Sequence, residues 1–476
     1  MYIGDFYFEL PKEFMQLDFV SIYYVLFCLI VFFLSRPFKA ILRPYVICIA
    51  NIVFIYSFGI MNFQMIGIVF VISYLFGILI DKLKFKKTFL TISVILLLYL
   101  LFMFKYPVLL VYDKFYQPIG LSFFLFKALS YLFDVKAGKI LSVKNPLLLF
   151  DYLFYFPTMI AGPINRINLF INEIKSKYRF DYKDAKAGGF QLVLGIYEKM
   201  VICDYFSAIV AKTLDNPEIT GWNLLFGIVL YSFQIYLDFD SLSNIAIGSS
   251  RLLGIHLPDN FRSPYLAINL KDFWRRWHIS LSSWFRDYLY IPLGGNRKGA
   301  IIQAINLVIV FIASGLWHGN TLNFLIWGLL HGVIQIVENM IGALLKFLHV
   351  GKKITIAFSP LLILINFTIV TALWLIFRYP TMGEVSTVLQ RLQVAQPFSY
   401  ELIGMTLMEQ YWLYVLLAIV IITDILRYFT NVFGWFNKMF FPLRWAVYFT
   451  MMVTFMVFAV YGKGGFDPSD FIYRWF

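Results

Sequence analysis

The chain has five histidines, at His256, His278, His318, His331 and His349. They are the side chains best suited to proton transfer near neutral pH. His318 lies in Ser314-Gly315-Leu316-Trp317-His318-Gly319, far from any charged loop. Ionisable groups within apolar spans are costly and functional by default; the plainer alternative is a packing histidine hydrogen-bonded to a neighbouring helix. Burial disfavours the imidazolium, and a neutral imidazole can act as general base toward a hydroxyl. Gly315 and Gly319, four residues apart, allow close approach of another helix or of a substrate chain.

His278 has a different setting. Trp274, Trp277, Ile279, Leu281, Trp284, Phe285 and Tyr288 suggest an aromatic face, and Lys271, Arg275, Arg276, Arg286 and Arg297 a polar one. This is the pattern of an interfacial amphipathic helix. Its arginines suit lipid headgroups, and equally a phosphate-bearing donor such as a coenzyme A. Leu293-Gly294-Gly295-Asn296-Arg297 is a weak candidate for backbone N–H contacts to phosphate. Gln234, Asp238 and Asp240 sit at the end of an apolar run and need buried partners, with Arg275 or Arg276 as candidates. They read as scaffold more than catalysis. His331 reads as a packing residue, and nothing argues for His256 or His349. No metal-ligand spacing or nucleotide cradle appears, so no bound cofactor is expected. The spans hold too few carboxylates for a proton-coupled pump.

The elements that must position these residues are membrane helices. Of 476 residues 61% are hydrophobic and 14% charged, against about 25% charged in soluble domains. Aromatic residues make up 20%, more than interfacial belts need. The net charge of +13 sits between apolar runs, which is the positive-inside pattern and excludes nucleic acid as a partner. Cys28, Cys48 and Cys203 lie in or beside apolar runs with no metal spacing. Met1–Asp18 lacks a basic leading region, so an uncleaved first span from Phe19 is expected.

Apolar runs of about 17–25 residues predict roughly 11–12 spans plus broken segments. The amino terminus is then extracytoplasmic. Pro44–Ile80 is too long for one span and reads as two joined near Gly59–Gln64. Phe115–Phe133 and Pro146–Ile164 look like two further spans, yet the basic loop Asn165–Gly188 belongs in the cytoplasm. One of the two is therefore expected to be re-entrant. Gly299–Val337 reads as a helical pair with His318 near its middle, and the tail Lys463–Phe476 falls outside. No repeat or linker divides the chain, so residues 1–476 are expected to form a single integral-membrane domain.

Several long tracts resemble the membrane-bound O-acyltransferase family. The likeness is greatest to the bacterial branch containing the membrane subunits for alginate and peptidoglycan O-acetylation. They are PIGLSFFLFKALSYLFDV at 118–135, FPTMIAGPINR at 156–166, YSFQIYLDFDSLSNIAIGSSRLLG at 231–254, DFWRRWHISLSSWFRDYLYIPLGGNR at 272–297 and SGLWHG at 314–319. Together they follow the family core from about residue 118 to 335.

The resemblance implies an all-α, acyl-CoA-dependent transferase with a tunnel through its helices. The family's histidine falls on His318, which would deprotonate an acceptor hydroxyl. His278 would orient the reacting groups, while Arg275, Arg276, Arg286 and Trp317 would meet the donor. Asp240 stands where the branch often has Ser. The last residues, Phe471-Ile472-Tyr473-Arg474-Trp475-Phe476, read alone as a snorkelling aromatic anchor. They also resemble a terminal hexapeptide of D-alanyl and O-acetyl transfer systems, whose tyrosine is thought to carry the acyl group; here that residue is Tyr473. The expected function is transfer of acetyl from cytoplasmic acetyl-CoA across the bacterial inner membrane, via Tyr473, for O-acetylation of an envelope polysaccharide. Peptidoglycan and an alginate-like exopolysaccharide are both open as acceptors. An extracytoplasmic esterase-like partner would complete the transfer. D-alanyl transfer to teichoic acid and non-catalytic transport are the alternatives.

Overall fold

The computed structural model describes residues 17–35, 42–105, 118–176, 181–349 and 351–458. All regular structure among them is helical, as composition and resemblance predict. Hydrocarbon offers no hydrogen-bond partner, so a span must satisfy its own backbone. In chain order the helices are α1 Ile22–Ser35, α2 Arg43–Ser57, α3 Met61–Lys82, α4 Lys86–Lys105, α5 Leu121–Lys136, α6 Pro146–Leu153, α7 Ile167–Lys175, α8 Tyr182–Tyr197, α9 Asp204–Val210 and α10 Gly221–Leu252. There follow α11 Leu270–Phe273, α12 Ile279–Phe285, α13 Ala300–His318, α14 Leu322–Phe347, α15 Lys352–Ala357, α16 Ser359–Arg378, α17 Met382–Leu392, α18 Leu407–Phe429, α19 Val432–Lys438 and α20 Phe441–Phe458. Among the described residues eight helices (α3, α4, α10, α13, α14, α16, α18 and α20) are long and apolar enough to cross a membrane, and α1 and α2 are shorter apolar helices. The chain is a multi-pass membrane protein.

The pair expected in Pro44–Ile80 is α2 and α3, separated at Phe58–Ile60. Pro146–Ile164 does not form a regular span. Its helix α6 has 8 residues, a rise of about 12 Å against a hydrocarbon core of roughly 30 Å. A 3₁₀ turn over Phe156–Thr158 follows. Pro157 and Pro163 interrupt the apolar run and leave it broken.

The chain folds as two compact units, one of Met1–Gly189 with Ile245–Leu257, the other of Phe190–Asn244 with Pro258–Phe476. In the first, Phe54 of α2 packs against Phe19, Tyr24, Phe27 and Phe156. Polar groups in this core are joined to one another. Asn51 donates to Asp151 at 3.1 Å and accepts from the Phe156 N–H at 2.9 Å. Buried Arg43 donates to the carbonyls of Glu173 and Leu253. At the surface His256 stands between two carboxylates. Its Nδ1 lies 3.1 Å from Glu173 and its Nε2 2.9 Å from Asp184, which also pairs with Arg251.

The Asp184 contact, then the surrounding negative charge, raises the His256 pKa above its ordinary value against the opposing effect of burial. A raised folded-state pKa stabilises fully below the unfolded value of about 6.5, and this contribution disappears as pH rises through the folded value. Thermal melts in detergent should therefore show wild type losing an advantage over His256→Gln as pH rises above neutrality. A difference independent of pH would contradict the charged bridge.

In the second unit the buried charges pair locally. The run from α8 through α9 contains π turns at Glu198–Cys203 and Ala211–Asp215. Lys199 lies 2.7 Å from Asp238 and 2.9 Å from Asp204. Arg427 of α18 bridges Glu198, at 3.0 Å, and Asp240. Asn244 donates to Glu198 at 2.8 Å. The partners of Asp238 and Asp240 are thus Lys199 and Arg427 rather than Arg275 or Arg276. Sequence distance hid this, because the π turns and α18 bring these cations to α10. Removing one member of a buried pair leaves a charge in low dielectric, at a cost of about 3–5 kcal/mol. Lys199→Met should lower the melting temperature in detergent, and adding Asp238→Leu should recover part of the loss.

Candidate active site

All residues of the site lie in the second unit. The segment Leu270–Tyr290 carries His278, and it is not one continuous amphipathic helix. Four residues of α11 are followed by a break, the seven-residue α12 and a π turn over Arg286–Tyr290. The break falls at His278, which takes a left-handed conformation with φ of 43°. For a residue with a Cβ this costs roughly 1–2 kcal/mol. Its neighbours hold it there through Asn260, whose carbonyl accepts from the Ile279 N–H at 2.8 Å. The Asn260 side chain accepts from Ser280 Oγ at 2.9 Å and donates to Ser243 at 3.1 Å. Arg262 N–H binds the carbonyl of Arg276 at 2.9 Å. An interfacial helix would turn its aromatic face to lipid. Here Phe273, Trp277, Leu281 and Trp284 are buried in protein.

His318 is the last residue of α13, and a three-residue turn leads into α14. The two helices touch backbone to backbone. A Cβ at Gly315 would collide with the Phe324 carbonyl, and one at Gly328 with the Phe311 carbonyl. This approach encloses His318 in rings. The centroid of Trp317 lies 4.6 Å from its ring, and those of Trp327 and Phe377 both 5.1 Å. Trp317 also packs edge-on to His278 at 6.4 Å, so it lies against both imidazoles.

His278 and His318 line one small cavity. Trp274, Trp277, Trp374, Phe239 and Phe377 supply its rings, and Ile235 and Leu281 its aliphatic surface. Trp277 is wedged between Phe273 and Trp374, at 5.5 and 4.9 Å, and the Trp374 indole donates to Tyr265 at 3.1 Å. Both histidines are buried, and His278 Nδ1 has no hydrogen-bond partner among the described residues. A buried polar atom left in this way calls for an explanation. The arrangement brings two imidazoles into one aromatic enclosure.

The arginines are placed elsewhere, and none lines the cavity. Arg276 pairs with Asp272 at 3.0 Å and lies 4.7 Å above the Tyr428 ring. Arg286 is exposed and pairs with Asp287 at 2.8 Å; Arg275 is also exposed. The glycine turn does not offer free N–H groups at both glycines. Gly294 and Gly295 donate within their own turn to Ile291 and Tyr290, each at 3.0 Å. Tyr473 lies outside the described residues. Sequence reasoning missed Trp374 and Phe377 of α16. Their spacing of three places them on one helical face, but in a span so rich in apolar residues that signal had no contrast.

The chain is a polytopic helical membrane protein in which two imidazoles line one buried aromatic cavity. The chain belongs to the membrane-bound O-acyltransferase family, whose family model matches residues 52–377. It is 35% identical over 263 residues to a probable alginate O-acetylase of Pseudomonas fluorescens, covering 55% of this chain and 51% of that protein. It is 34% identical over 304 residues to a peptidoglycan O-acetyltransferase of Helicobacter pylori, covering 57% and 56%. A teichoic acid D-alanyltransferase of Bacillus subtilis is 31% identical over 235 residues, covering 46% and 58%. The chain spans about half the length of the curated relatives it matches.

Close glycine contact should make α13 intolerant of a single methyl. Gly315→Ala should destabilise the protein by about 1–3 kcal/mol, the range for overpacking. Gly342→Ala in α14, where a Cβ meets open space, should be neutral or stabilising through helix propensity. Thermal unfolding of the two variants in detergent reads the opposite signs.

Proposed function

We propose that the chain is an O-acyltransferase that takes acetyl from cytoplasmic acetyl-CoA and delivers it across the inner membrane for O-acetylation of an envelope polysaccharide. The observation that carries this reading is the shared cavity of His278 and His318. A neutral imidazole facing that cavity can act as general base toward a hydroxyl. His318 accepts the proton of an acceptor hydroxyl as its oxygen attacks the thioester carbonyl. The tetrahedral intermediate then expels the coenzyme A thiolate, which recovers that proton, and an ester remains. His278, with Nδ1 uncommitted, orients or polarises the reacting carbonyl. The aromatic walls exclude water that would otherwise hydrolyse the acyl group.

The acceptor in this reading is Tyr473, which relays acetyl to an extracytoplasmic esterase-like partner, and the polysaccharide receives it last. Both chain termini are extracytoplasmic in this scheme, and the whole chain acts as one integral-membrane domain. Arg275, Arg276 and Arg286 meet the donor's phosphates at the cytoplasmic mouth. D-alanyl transfer is the second reading. It is favoured by the D-alanyltransferase likeness and by tryptophan faces able to hold an ammonium.

Purified protein given radiolabelled acetyl-CoA should acquire a single acetyl on Tyr473, detectable by intact mass. Losing a general base costs about 10²–10⁴-fold in rate, so His318→Ala should abolish the label at equal expression, and Tyr473→Phe should remove its site. Labelling only from a charged D-alanyl carrier would establish the second reading. Envelope acylation unchanged by His318→Ala would replace the enzyme with a transporter.

A further inference from the structure

His331 of α14 is fully buried, and its Nδ1 accepts the indole N–H of Trp274 at 3.3 Å. That bond fixes the neutral tautomer with the proton on Nε2. Nε2 is buried and has no hydrogen-bond partner among the described residues. A leucine would fill this place among Phe311, Trp274 and Trp327 without an orphaned Nε2, but it would remove the acceptor of the Trp274 indole N–H. Packing alone therefore does not account for an imidazole here.

What His331 touches points to its role. Trp274 is a wall of the cavity. Trp327, whose ring centroid lies 4.6 Å from His331, packs edge-on to His318 at 5.1 Å. One imidazole thus contacts both a cavity wall and the ring that backs His318. The same helix holds the start of the His278 segment, because Glu338 accepts the Leu270 N–H at 2.9 and 3.1 Å. His331 and Glu338 are seven residues apart and so share one face of α14.

We propose that His331 is a positioning residue that sets the plane of Trp274 through the Nδ1 bond and so shapes the cavity around the reacting acyl group. The proposal rests on reading that cavity as the site of acyl transfer. Apolar contacts alone let an indole rotate, whereas one directed bond selects a single ring orientation. Small misplacements around reacting atoms cost up to about 10²-fold in rate.

The test is a mutant cycle read in steady-state coenzyme A release from acetyl-CoA by membranes that hold the acceptor polysaccharide and its transfer partner, so that acetyl leaves Tyr473 and the enzyme turns over, with folding checked by gel filtration in detergent. In asparagine Oδ1 stands as many bonds from Cα as His331 Nδ1, so His331→Asn keeps an acceptor for the indole. His331→Leu should lower kcat about 10- to 100-fold with little change in KM, and His331→Asn should recover most of that loss. Trp274→Phe should lower kcat as well, and His331→Leu should cost nothing further in that background. Additive losses, or His331→Asn as slow as His331→Leu, would overturn the proposal. Should His331→Leu not accumulate, His331→Met carries the same comparison. His318→Ala in the same assay separates the two layers, since transfer that survives it removes the underlying reading as well.

Discussion

The contact between α13 and α14 is the constraint on which the site depends. Hydrocarbon supplies no hydrophobic drive to press two helices together, so their association relies on close packing. Glycine at 315 and 328 lets each backbone meet a carbonyl of the other helix. At that separation Trp317 and His318 of one helix and Trp327 and His331 of the other share a single aromatic layer. Lengthening the separation by the size of a methyl group would dissolve the layer, and with it the orientation of His318.

A second constraint acts on polar groups. Each charge drawn into an apolar interior has to find its partner within the protein. The second unit meets this with Lys199, Asp204 and Asp238 on one side and Glu198, Asp240 and Arg427 on another. These networks tie the π-turn segment and α18 to α10, whose Ile235 and Phe239 face the cavity. His278 is held by the same logic at smaller scale, since Asn260 fixes the backbone after it and buried rings surround it. The buried charges beside the site are paired with one another, while His278 Nδ1 has no hydrogen-bond partner among the described residues.

Much of this was legible in the chain. Apolar run lengths locate the long helices, while breakers stand in both candidate segments, at 118–120 and 161–163, and only the structure shows the run 146–164 broken. His318 stands out because an ionisable side chain in an uncharged run has no cheap explanation, and His278 through the family likeness of the basic, aromatic tract that carries it. The errors share one cause. The aromatic and basic residues of 271–297 suggest a single amphipathic helix, yet the segment breaks at His278 and turns its rings inward. Periodicity describes a helix face and is blind to a left-handed residue in its middle. Arg275 and Arg276 look like partners for Asp238 and Asp240 by charge, but Lys199 and Arg427 hold those places.

Composition and hydropathy by themselves determined that this chain is an all-helical, multi-pass membrane protein, since long continuous apolar runs satisfy their backbone in lipid as helices, whereas a barrel needs short alternating strands. The long motif tracts determined its family. Tertiary structure alone decided that His278 and His318 share a cavity, that α16 contributes two of its rings, and that His331 reaches its wall through Trp274. The reason is physical. Helix formation is settled by groups within a few residues of one another, whereas the cavity is made by α10, the break before α12, α12, α13 and α16 meeting, and neither the partner of a close-packing glycine nor that of a buried charge is encoded in a local pattern.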